Sequence, residues 1–147
     1  MNRVTTSSAC SLGALRIMTG LLFLQHGLQK TIQFPNVGHS PGPFELFSLM
    51  GAAGVIETLG SVLIVLGLFT RPAAFVLAGQ MAVAYFLFHL RNGLSMDMGF
   101  FPVVNQGDLA ILFCFVFLHL FVAGPGAFAL DNRRAGARSD QGDMSNG

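Results

Sequence analysis

Residues 72–90 and 109–130 contain no Asp, Glu, Lys or Arg, and Glu57 is the only charge between Glu45 and Arg71. Runs of this length, uncharged and mostly apolar, read as transmembrane helices: at ~1.5 Å of rise per residue they approach the ~30 Å of a bilayer core. Composition agrees. A domain in water carries about 25% charged residues. Here 10% are charged and 52% hydrophobic, with a mean hydropathy of +0.62.

Turn chemistry divides the chain into four apolar segments. The first is expected over Leu12 to Thr31. The second runs from Phe44 to Leu68, with Glu45 in its first turn, where the helix dipole favours an acid. The third runs from Pro72 to Leu90 and the fourth from Asp108 to Ala123. The stretch IQFPNVGHSPGP (32–43) breaks any helix. Phe69-Thr70-Arg71 is so short a connection that the second and third helices must be antiparallel, with Thr70 able to cap and Pro72 in the first turn. Asn105-Gln106-Gly107-Asp108 reads as a cap with an acid three residues on. Gly124-Pro125-Gly126 ends the fourth helix.

The expected fold is therefore an all-α membrane protein, a four-transmembrane-helix antiparallel bundle over residues 12–131. Residues 1–11 are expected to be a short cytoplasmic N-terminus and 132–147 a disordered polar tail. Arg16 interrupts the first apolar run, so that segment reads as a retained span rather than a cleaved leader. Arg3, Arg16, Arg71, Arg133, Arg134 and Arg138 fall on the side of the termini, against Lys30 and Arg91 on the other. The positive-inside rule then places both termini in the cytoplasm, in a bacterial inner membrane.

Several functions are disfavoured. No basic cluster suggests nucleic acid; Arg133, Arg134 and Arg138 suit anionic lipid headgroups. Cys10 and Cys114 form no CxxC, so neither a disulfide framework nor a zinc site is supported. No two of His26, His89 and His119 fall clearly level on facing helices, as haem ligation would need. No metal site is expected.

A charge at mid-membrane costs at least ~2.5–3.5 kcal/mol on insertion scales, so Glu57 should face a partner or a cavity. It lies about 16 Å from the Leu68 boundary, level with Gln25 and His26. Gln29 and Lys30 continue the arc of His26, and Tyr85 and His89 share a face. Lys30, His89, Arg91, Asn105 and Asp108 should gather at the outer ends. There Asp108 is expected to attract Lys30 or Arg91, and loop 94–104, with its Met and Phe residues, to cover the mouth. Gln80 matches His119 in depth and points away from Tyr85 and His89. The plainer alternatives stay open. Glu57 fixes helix register, and the outer charges reach headgroups independently.

FLQHGLQK (23–30), Glu57-x-x-Gly60, LGLFTRPAA (66–74), HLRNG (89–93), NQGDLA (105–110) and GPGAFALD (124–131), in this order, resemble the DoxX family of small bacterial membrane proteins. The resemblance covers residues 12–131. It implies a four-helix membrane bundle and marks His26, Gln29, Lys30, Glu57, Arg71, His89, Asn92 and Asn105. Asp108 stands where the family pattern has Glu. The family's association with quinone-linked sulfur oxidation and membrane redox complexes implies a quinone-interacting subunit. Glu57 and His26 would be the catalytic pair: Lys30 or His26 would donate to a carbonyl oxygen, and Glu57 would accept or relay the proton. Gln25, Gln29, Lys30, Tyr85, His89, Asn105 and Asp108 would line the ligand site. The chain has no dinucleotide fingerprint, so a soluble or membrane redox partner would deliver electrons. A non-catalytic assembly protein and a small transporter are the alternatives, and homo-oligomerisation stays open.

Overall fold

A computed structural model of the chain describes residues 3–35 and 44–134. The 36–43 part of the expected loop and the 135–147 part of the tail lie outside the described residues. Helix α1 spans Arg3–Ile32, α2 Leu49–Leu66, α3 Thr70–Gly93, α4 Pro102–Asn105 and α5 Asp108–Ala123. No strand forms among the described residues. Three stretches are long and apolar enough to cross a membrane: Thr6–Ile32, Leu49–Leu66 and Thr70–Gly93; α5 is shorter. Exposed apolar side chains such as Leu22, Leu59, Val76 and Phe115 cover the flanks of all four long helices, a surface suited to lipid.

The long helices pack antiparallel. Along α1 and α2, Gly20 meets Val65, Gly27 meets Thr58 and Gly54 meets Lys30, so the numbers run in opposite directions. A methyl group at Gly27 would stand 2.6 Å from the Thr58 nitrogen, so only glycine allows this approach. Phe75 stacks at 5.4 Å on Phe121, and the far end of α3 meets α5 where Tyr85 packs on Gly107. Phe23 of α1 reaches Phe113 and Phe117 of α5, both at 5.0 Å between ring centroids, and closes the bundle.

Several boundaries differ from expectation. Helix α1 is already helical at Arg3, so residues before Leu12 extend it. Helix α2 begins after Ser48, whose hydroxyl accepts from the Gly51 amide at 2.9 Å, and Glu45 lies outside its first turn. A local hydroxyl cap outcompetes the weaker attraction of an acid to the dipole. Leu130–Arg134 is helical, so a helix takes in the first residues assigned to the tail, with Arg134 4.7 Å over the Phe69 ring. Within α3, Tyr85–Leu90 is π-helical.

The end where α2 turns into α3 is tied by residues distant in sequence. Gly67, at φ 63°, takes the left-handed conformation that ends α2, and its amide donates to Ile64. Thr70 does not cap α3. Asp131 does so instead, accepting from the amides of Phe69 at 2.8 Å and Thr70 at 2.9 Å. Burial opposes ionisation of Asp131, but those amides and the nearby Arg134 outweigh it and hold the carboxyl below its usual range.

Arg16, expected to be a boundary charge, is fully buried beside this turn. All five of its N–H groups are used. Nε donates to Pro125 O at 2.8 Å, and Nη1 donates to Ile64 O and Val65 O, each at 2.6 Å. Nη2 donates to Ala127 O at 3.2 Å and Phe128 O at 3.1 Å. Its cation sits at the negative end of the α2 dipole, and one side chain holds the last turn of α2 to the segment after α5.

Candidate functional site

Glu57 is 1% exposed and faces the interior, as a lone carboxylate in an apolar span should. Its Oε1 accepts from Lys30 Nζ of α1, and from Gln80 Nε2 of α3 at 2.9 Å. Gln80 Nε2 also donates to Ala53 O at 3.2 Å. Thus α1, α2 and α3 meet at one carboxylate. The partner on α1 is Lys30, next to Gln29 and a turn beyond His26, where Gln25, His26 or Gln29 was expected.

Two cavities flank this ion pair. The first, about 340 Å3, lies between α2 and α3. Lys30, Glu57, Gln80 and His89 form its polar part, and Ile56 and Val83 belong to its apolar walls. Leu49 (62% exposed), Met50 and Phe88 also line it and are open to the outside, so its mouth has an apolar rim. The second cavity, about 220 Å3, lies between α1, α3 and α5 and includes Phe23, His26, Gln106, Leu109 and Phe113. Lys30, Glu57, Ala84 and His89 line both and form the wall between them.

The π-helical turn explains why Gln80 and His89 share a cavity. Nine residues apart in a regular α-helix, they would face opposite ways. An extra residue within the turn rotates the remainder of the helix by on the order of 100°, bringing His89 round toward the Gln80 side. His89 Nδ1 lies 3.1 Å from Asn105 O. A carbonyl only accepts, so Nδ1 carries the proton of that bond. Asn105 is buried but does not act as the expected cap. Its Nδ2 donates to Gly99 O and its Oδ1 accepts from the Gly107 amide, each at 2.9 Å, which binds the loop before α5.

The remaining expected residues divide. His26 lines the second cavity, edge-on to Phe113 at 5.9 Å, and makes no contact with Glu57. Gln25 and Gln29 line neither cavity, and Gln25 is exposed. Tyr85 is half-buried against Gly107 and Phe86 rather than in a cavity. Asp108 and Arg91 are exposed, and Asp108 pairs with neither Lys30 nor Arg91, because the buried Glu57 holds Lys30. Loop 94–104 lines neither cavity; Leu94, Met98 and Phe100 are exposed instead. Arg71 donates to Phe121 O at 2.9 Å and ties α3 to the end of α5. Among the described residues, no three His, Cys, Asp or Glu lie close enough to hold a metal ion.

Sequence reasoning missed Gln80, Arg16 and Asp131. Gln80 gave a signal, being an amide in the middle of an uncharged span. For Asp131 the signal was that α3 starts at Phe69-Thr70 with no Asp, Asn or Ser immediately before it.

Comparison with known proteins agrees with the geometry. The DoxX family model matches residues 11–90. An uncharacterized protein of Haemophilus influenzae is 40% identical over 134 residues, covering 90% of this chain and 97% of that protein. An uncharacterized membrane protein of Mycobacterium tuberculosis is 34% identical over 131 residues, covering 81% of this chain and 78% of its own. No solved structure matches. Apolar helices of membrane-crossing length, a buried carboxylate at their centre and this family match agree: the chain is a multi-pass membrane protein and belongs to the DoxX family.

Proposed function

We propose that this protein holds the headgroup of a membrane quinone beside Glu57 and serves as a quinone-interacting subunit of a redox assembly. The observation that supports this most is the cavity of about 340 Å3, rimmed by exposed apolar side chains and apolar except where Lys30, Glu57, Gln80 and His89 meet. That volume lies in the range of small-ligand sites, roughly 300–1,000 Å3. An isoprenoid chain would stay among the exposed apolar side chains at the mouth while the ring enters. Lys30 has N–H groups beyond the one given to Glu57 and would donate to a ring oxygen. Glu57 would accept or relay a proton. A bound quinone would supply the two-electron chemistry, and a partner protein would supply the electrons. A pure packing role fits less well, since cavities rather than close-packed side chains flank the pair.

Protein purified in mild detergent should carry quinone, seen by mass spectrometry of the extracted lipids at near-stoichiometric amounts and lost in Glu57→Leu. Quinone no more abundant than with an unrelated membrane protein from the same cells would end this reading. We further propose a bacterial inner-membrane location with both termini cytoplasmic, from the six-to-two Lys/Arg asymmetry. A cysteine placed by Ser139→Cys should then resist an impermeant maleimide in intact cells and react after lysis; labelling in intact cells would reverse the orientation.

A further inference from the structure

Two buried oxygens beside the first cavity receive no hydrogen bond: Glu57 Oε2 and Gln80 Oε1. Their chemical identities are fixed by their neighbours. The Gln80 atom that meets Glu57 Oε1 and Ala53 O must be the donor nitrogen, so the other atom is the amide oxygen, an acceptor only. Glu57 meets the Lys30 ammonium through Oε1, which leaves Oε2 of the carboxylate as a second acceptor. Each free oxygen is bonded to the same carbon as an atom of one 2.9 Å hydrogen bond, so both belong to the single Glu57–Gln80 contact. Glu57 and Gln80 both line the first cavity, and their two free oxygens lie behind its accessible surface, so a donor reaches them when either side chain turns. A buried acceptor without a donor is unfavourable, so a head that brings hydrogens gains here what a bare carbonyl cannot.

We infer that this site selects an amphiphile whose head carries hydroxyl hydrogen-bond donors, such as a dihydroxy aromatic ring, over the same head bearing carbonyls. The identity of the ring rests on the quinone-binding reading; the demand for donors rests on the two orphaned oxygens. A hydroxyl satisfies both sides of the site. Its hydrogen goes to Gln80 Oε1 or Glu57 Oε2, while its oxygen accepts from a remaining Lys30 N–H. A ring carbonyl can make only the second contact. For a quinone, the reduced form therefore binds more tightly than the oxidised form. A tenfold preference raises the two-electron potential of the bound couple by about 30 mV.

The test uses the full chain in lipid nanodiscs and measures dissociation constants for two probe sets. One is decylubiquinone, its hydroquinone and the dimethyl ether of that hydroquinone. The other is 5-pentadecylresorcinol, a dihydroxy ring that forms no quinone couple with it, and its dimethyl ether. The hydroquinone should bind at least about tenfold more tightly than both the quinone and the ether. The resorcinol should exceed its ether by a similar factor. Gln80→Met, checked for unchanged helicity and elution, should shrink the preference for hydroquinone over quinone several-fold, whatever it does to the affinity of each. Equal affinities for quinone and hydroquinone would overturn the donor inference and leave quinone binding intact. Binding of the resorcinol but of neither ubiquinone form would remove the quinone reading and support the donor rule. Hydroxylated probes no better than their ethers would overturn the inference outright.

Discussion

Arg16→Met is expected to lose on the order of 3–5 kcal/mol of stability, the range for removing one partner from a buried charged network. The substitution keeps an unbranched chain of similar reach but removes the donors to five carbonyls, those of Ile64, Val65, Pro125, Ala127 and Phe128, of which Ile64 O keeps the Gly67 amide. Arg16 itself is 0% exposed, so water replaces its N–H groups only where the chain opens locally. Arg16→Lys should recover little. An ammonium keeps the charge but has three donors from one point, where the guanidinium reaches two chain segments at once. In detergent, the thermal midpoint of both variants should fall by roughly 10 °C or more. A midpoint within about 2 °C of the parent would mean that the five bonds contribute nothing net.

The second large effect concerns Lys30 and Glu57, and it should be asymmetric. Lys30 is 25% exposed in its side chain and can extend toward water when Glu57 is removed; Glu57 is 1% exposed and has no such route. Lys30→Met should therefore cost more than Glu57→Leu, about 3 kcal/mol, because the remaining carboxylate must keep its charge with Gln80 alone or take up a proton. The double variant should recover most of that loss, giving a coupling of about 1–3 kcal/mol in a thermal-denaturation cycle. Strict additivity would show that the two side chains do not act as a pair.

The bundle was legible in the sequence because lipid imposes a rule that sequence displays directly: long uncharged runs joined by turn residues. Helix α5 starts and ends where Asp108 and Gly124 indicate. Glu57 was legible for the same reason, since a charge in such a run has few places to go. Its partners were less so. Depth counting places Lys30 only to within a turn, and a regular period puts Gln80 opposite His89. The π-helical turn at Tyr85–Leu90 breaks that period, and no motif announces it. Arg16 looked like a boundary charge because its span was taken to begin at Leu12, whereas the helix starts nine residues earlier. Local capping rules cannot find Asp131, which caps amides 61 and 62 residues away.

The Arg16 network also bears on the order in which a growing chain can satisfy its own charge. Ile64 and Val65 lie 48 and 49 residues after Arg16 and become available once the second helix has been made. Pro125, Ala127 and Phe128 come 109 to 112 residues after it, in the segment that follows α5. During synthesis, two of the five carbonyls are in place when the first hairpin enters the bilayer. The other three arrive only after α5 has been laid down. The lock on the first helix is thus closed by a segment made 109 to 112 residues after Arg16, and until then α1 waits with part of its guanidinium unserved.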